Sequence, residues 1–73
     1  MTLEEYRGLL SWSQAELACQ AGLNNQTVSY AERGEVISSK TALAICNALS
    51  RALGRQILAK DIDGLNVRLM KSK

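Results

Sequence analysis

Histidine is absent from this 73-residue sequence, and its absence removes much enzyme chemistry before any motif is sought. Without an imidazole the chain lacks the commonest general base, the usual partner of a nucleophile and the commonest metal ligand. Cysteine is scarce. Cys19 and Cys46 stand 27 positions apart with no CxxC, so they form neither a zinc site nor a disulfide framework. They read as small buried or half-buried hydrophobes. No apolar run approaches the ~20 residues that a membrane span needs. No charged-then-apolar leader precedes the first helix, which points to a cytoplasmic protein with reduced thiols and no membrane partner. Proline is missing as well, and glycine punctuates the chain instead. The length allows one domain, residues 1–73, burying about 60% of the surface of the unfolded chain. That supports one modest core but not a deep catalytic cleft. Hydrophobic residues at 47% exclude a disordered tail.

Charge is unevenly spread. Residues 1–50 hold three cations (Arg7, Arg33, Lys40) and five acids, a net charge of −2. Residues 51–73 hold six cations and two acids, a net charge of +4, so the basic excess lies in the last third. Those cations fit a solvated face.

Gly22, Gly34, Gly54 and Gly64 each follow a stretch of helical spacing, where a left-handed C-terminal cap is wanted. Thr2-Leu3-Glu4-Glu5 and Ser13-Gln14-Ala15-Glu16 fit the capping box, Asn24 can cap a third helix, and Ser38 or Ser39 a fourth. These signals predict helices at about 3–11, 14–21, 25–32 and 39–53. Gly8 weakens the first by about 1 kcal/mol relative to Ala. Leu3, Tyr6 and Leu10 share one face of that helix. Leu17, Ala18 and Ala21 share one face of the second, and Ala42, Ile45, Cys46, Leu49 and Leu53 form a stripe along the fourth. Beyond Gly54 lies a C-terminal extension, 54–73. In it Gln56-Ile57-Leu58 reads as extended, Ala59–Asp63 as one helical turn, Leu65–Met70 as a loosely apolar tail and Lys71-Ser72-Lys73 as a frayed end.

The second and third helices are joined only by Gly22 and Leu23. Gly22 can take a positive φ, Ala18 is small enough for a close crossing, and Leu17, Ala21, Leu23, Val28 and Ala31 offer apolar contacts on both sides. This is the pattern of a helix-turn-helix at 14–33, in which the second helix is offered to a DNA major groove. The inner face of helix three is Val28, Ala31 and Glu32. Its outer face is Asn25, Gln26, Ser29 and Tyr30, with Arg33 at the end. Asn and Gln can bond adenine bidentately and Ser can bond various bases. Tyr30 suits a thymine methyl, a phosphate or a place against the core. A plainly solvated helix face would also be polar at these positions. Arg7, between Leu3 and Leu10 on the apolar side of helix one, and Glu32, on the apolar side of helix three, are predicted to pair, since two charges facing one core must meet or be heavily penalised. Trp12 reads as a core anchor between helices one and two.

The run Trp12-Ser13-Gln14-Ala15-Glu16-Leu17-Ala18, then Ala21-Gly22-Leu23, then Thr27-Val28-Ser29-Tyr30-Ala31-Glu32-Arg33-Gly34, resembles the phage repressor and Cro type of helix-turn-helix, the XRE family. Lys40–Leu49 is similar to that family's next helix, and the resemblance covers about residues 3–53. It implies an all-α, lambda-repressor-like bundle of four to five short helices. It also implies a sequence-specific regulator acting as a homodimer on double-stranded DNA, with no cofactor, no metal and no enzymatic activity. The Arg7–Glu32 pair is implied again. Gln14 falls on the position that bonds a backbone phosphate, where helix dipole and free amides favour an anion. Arg33, Ser39 and Lys40 fall on positions that flank the groove and hold phosphates. The chain departs from the pattern at Glu35, where relatives carry a cation, at Glu4 and Glu5 in the first helix, and at Ser11, where they carry glycine. Few phosphate cations imply a shallow salt dependence and weak non-specific affinity. The apolar excess at Ile57, Leu58, Ile62, Leu65, Val67, Leu69 and Met70 suits an end cap to the bundle together with a two-fold interface. The rival reading is an antitoxin or adaptor whose exposed face binds a protein partner. Co-purification with a protein, and indifference to Gln26→Ala, would identify it.

Overall fold

The computed structural model describes residues 1–68, so Leu69, Met70 and the basic end at 71–73 lie outside the described residues. Four helices run α1 Leu3–Leu10, α2 Gln14–Ala21, α3 Asn25–Glu32 and α4 Ser39–Leu53, with a 3-10 turn at Ala59–Asp61. Two three-residue strands, β1 Val36–Ser38 and β2 Asn66–Arg68, pair in parallel with Val36 opposite Asn66 and Ser38 opposite Arg68. The molecule is therefore mostly helical, with a small strand pair added to the expected bundle. The extended reading of 56–58 holds no regular structure, and the tail expected from Leu65 includes β2.

Helix starts follow local side-chain chemistry. Thr2 and Glu5 form the reciprocal capping box, with Glu5 N donating to Thr2 Oγ1 (3.2 Å) and Thr2 N to Glu5 Oε1 (2.8 Å). The second box forms only by half: Ser13 Oγ accepts from Glu16 N, but the Glu16 carboxylate takes Gln20 Nε2 at 2.8 Å instead. Asn24 caps α3 through Thr27 N (2.9 Å), and it is Ser38 that caps α4.

The exits of α1 and α2 share one geometry. After α2, Gly22 takes φ 73 and ψ 29, and Leu23 N reaches back to Ala18 O at 2.8 Å, which turns the chain sharply toward α3. After α1, Trp12 N bonds Arg7 O at 3.0 Å around Ser11, which takes φ 58 and ψ 35. Ser11 is the one non-glycine residue with positive φ among the described residues. The serine thus adopts the left-handed shape that glycine takes more cheaply.

The core gathers Leu17, Val28, Ile45, Leu49 and Ile57, all essentially inaccessible, with Leu3, Tyr6, Ala18, Ala31, Ile37 and Ile62 around them. Full burial of one such aliphatic side chain is worth about 1.5–3 kcal/mol. Ile57 and Ile62 carry the segment after Gly54 into the same core that supports the helical corner. That segment is fastened further by Ile57 N donating to Ser50 Oγ (2.8 Å) and by Asp63 N donating to Met1 O (2.8 Å). Trp12 is half-buried against the core, and Cys46 is buried. Cys19, expected to be at least half-buried, is exposed: it lies on the outer side of α2, beside Gln20 rather than on the Leu17–Ala18 face. Among the described residues no helix is long and apolar enough to cross a membrane, and no group of three metal-ligating side chains comes together.

Candidate nucleic-acid interface

The periodicity of α3 sorts its side chains by environment. Val28 and Ala31 are buried against α2 and the core, while Asn25 and Gln26 project into solvent and Ser29 sits half-buried at the edge of the outer face. Tyr30 lies outward, 39% exposed, and not in the core. Gln26 Nε2 donates to Tyr30 Oη at 2.9 Å, and the Arg33 guanidinium lies over the Tyr30 ring, 5.1 Å from its centroid. Gln26, Tyr30 and Arg33 thus form one continuous row along the helix. Its spacing, four residues and then three, is visible in the sequence, but that the side chains join is not.

Behind this face lies a polar network. Arg7 grips Glu32 with Nε on Oε2 and Nη2 on Oε1 (3.0 Å), and its Nη1 donates to Trp12 O at 3.0 Å. The two side chains retain 15% and 11% of their accessible surface. Gln14 Nε2 donates to Glu32 Oε1 at 2.9 Å, so the residue expected at a phosphate also braces α2 against α3. Nothing in the sequence signals that bond. Burial works to raise the Glu32 carboxyl, but the hydrogen bonds from Arg7 and Gln14, together with the Arg7 charge, outweigh it and hold the group below the usual carboxylate range. The hydrogen bond to Glu32 pushes Arg7 upward against the opposing effect of burial. A single primary amide carries two N–H donors, so Gln14 keeps one for a second partner.

Two of the remaining predicted phosphate residues stand at the start of α4. Ser39 is its first residue and exposed, and Lys40 follows, also exposed. Arg33 ends α3, and Gly34 behind it takes φ 83. Exposed Glu35 places an acid beside this group. Arg51, Arg55, Lys60 and Arg68 are exposed, and Arg51 Nη2 bonds Gln20 O at 3.3 Å. A groove of about 330 Å³ lies between α4 and the segment after Gly54, lined by Leu43, Cys46, Ile57, Leu58 and Val67 among others, and Ser39 stands at its edge. Burial raises the Cys46 thiol there, with the Asp61 charge adding to the effect.

A family model described as helix-turn-helix matches residues 3–56, most of the chain. No curated protein and no solved structure matches it.

Proposed function

The chain belongs to the phage-repressor and Cro type of helix-turn-helix proteins, which are DNA-binding regulators, and from that premise we propose that it reads a specific duplex with α3 in the major groove. The observation that carries this reading is the division of α3 into a buried apolar face and an outward face of Asn25, Gln26, Ser29 and Tyr30. Those types suit base edges. Gln14, Arg33, Ser39 and Lys40 are proposed to hold phosphates on either side. The spare N–H of Gln14 and the first-turn amides of α2 suit an anion, while Arg33 and Lys40 supply charge. The whole of 1–73 is proposed to act as one domain, with 54–73 completing the core.

We further propose a homodimer on a palindromic site, since two α3 helices about 34 Å apart read successive major grooves on one side of the duplex. Leu43 (60% exposed) and Leu58 (41% exposed) beside the apolar groove support a protein-facing surface. The same surface supports the rival reading as an antitoxin or adaptor.

Selection from a random duplex pool tests the proposal. An enriched inverted repeat is expected, with affinity falling as salt rises and Gln26→Ala weakening the selected site about 10-fold, the value of one good bidentate base contact. Recovery of no motif, together with a protein partner that tolerates Gln26→Ala, would establish the adaptor instead.

A further inference from the structure

The row along α3 holds a feature that simple outward exposure of Gln26 does not require. A free glutamine side chain rotates and flips its amide, and it offers donor and acceptor edges in many directions. Here Gln26 Nε2 is tied to Tyr30 Oη at 2.9 Å. The Arg33 guanidinium lies over one face of the Tyr30 ring, 5.1 Å from its centroid, and favours this placement of the ring. The spacing 26, 30, 33 keeps all three on one side of the helix. With one Nε2–H engaged, Gln26 still presents its other N–H and its Oε1. That donor–acceptor pair matches the N7 acceptor and N6 donor of adenine and opposes the two acceptors of guanine.

We infer that Tyr30 is a positioning residue that holds the Gln26 amide in one orientation and so makes Gln26 a reader of adenine. The inference rests on the DNA reading above and gives Tyr30 a role different from direct base contact. Because Tyr30 accepts from Gln26, its own O–H proton is left to donate to a neighbouring acceptor. Arg33 adds a cation at the end of the row.

The test compares wild type, Tyr30→Phe, Gln26→Ala and the double variant on the duplex selected by wild type, and on a copy in which the A·T pair under Gln26 is changed to G·C. Phenylalanine keeps the ring and its stack on Arg33 and removes only the hydroxyl. Circular dichroism checks that the helices persist. Wild type is expected to prefer A·T by about 10-fold or more, Tyr30→Phe by about threefold or less, and the double variant to match Gln26→Ala, since Tyr30 acts through Gln26. In the DNA-free protein, the NMR signal of the Gln26 side-chain amide proton bonded to Tyr30 is expected to shift toward the position of a free glutamine amide in Tyr30→Phe. Full A·T preference in Tyr30→Phe, independent losses that add in the double variant, or an unchanged Gln26 amide spectrum would each overturn the inference while leaving DNA binding intact. A wild-type protein that selects no duplex would overturn the DNA reading and this inference with it.

Discussion

Glu32 keeps its charge where only 11% of its side chain meets water, and three donors hold it there: two from Arg7 and one from Gln14. Removing Arg7 leaves a shielded carboxylate with a single amide partner. Exposed pairs are worth about 0.2–1 kcal/mol, and breaking a fully buried pair costs about 3–5 kcal/mol. Arg7→Ala is expected to fall between, at about 2–3 kcal/mol, read as a drop of about 10–20 °C in the thermal midpoint of a domain this size. An unchanged midpoint would show the pair to be ornamental. The same network makes stability depend on pH. The folded carboxyl titrates below the unfolded value of about 4.3, so between those two points the unfolded chain binds more protons than the folded one. The contribution of Glu32 is therefore complete above about pH 4.5 and is lost as acidity carries the group through its folded pKa. Urea midpoints of wild type and Glu32→Gln are expected to differ by a constant amount from pH 7 to about 5 and to converge as acidity then protonates the folded carboxyl. A gap that persists unchanged in acid would contradict this. The meeting of Arg7 and Glu32 was legible from two charges on two apolar faces; the part of Gln14 was not, because its position at a helix start carries no sign of a neighbour eighteen residues away.

Among the elements, helices were legible because their ends are local. Ser13, Asn24 and Ser38 accept from amides three residues on, and Gly22 and Gly54 supply the left-handed exits. The strands were not legible. Each spans three residues, too few for a period of two to show, and their partnership joins positions thirty apart with nothing in between to announce it. The β-branched pair Val36-Ile37 was the one local hint. Ser11 is the opposite case, a departure visible in the sequence whose physical result the structure supplies. Its φ of 58 is disfavoured for any residue bearing a Cβ. Ser11→Gly is expected to stabilise the protein by about 1 kcal/mol, the relief of the left-handed strain less the entropy that glycine adds to the unfolded chain. Chemical denaturation would measure it, and a destabilised variant would mean that the serine hydroxyl has a compensating partner.

For the molecule as a whole, the separation of charge sets how it would meet a polyanion. Among the described residues, only Arg33 and Lys40 bring positive charge to the proposed contact surface, and Glu35 stands among them. In the proposed homodimer, two cations from each protomer would make four phosphate contacts. At about 0.9 per contact, the logarithm of affinity is expected to fall with the logarithm of salt at a slope of about −4. A slope near −8 would enlist the exposed cations of the last third as well. The parallel strand pair has a further effect, on timing. α3 leads through Gly34 into β1, and Asn66 Nδ2 donates to Gly34 O at 3.4 Å across the same junction. During synthesis β1 leaves the ribosome thirty residues ahead of β2. A nascent chain can fold its helical corner early, but the strand pair behind α3 closes only when Asn66–Arg68 has emerged, so the junction that anchors the end of α3 is completed after the helices themselves.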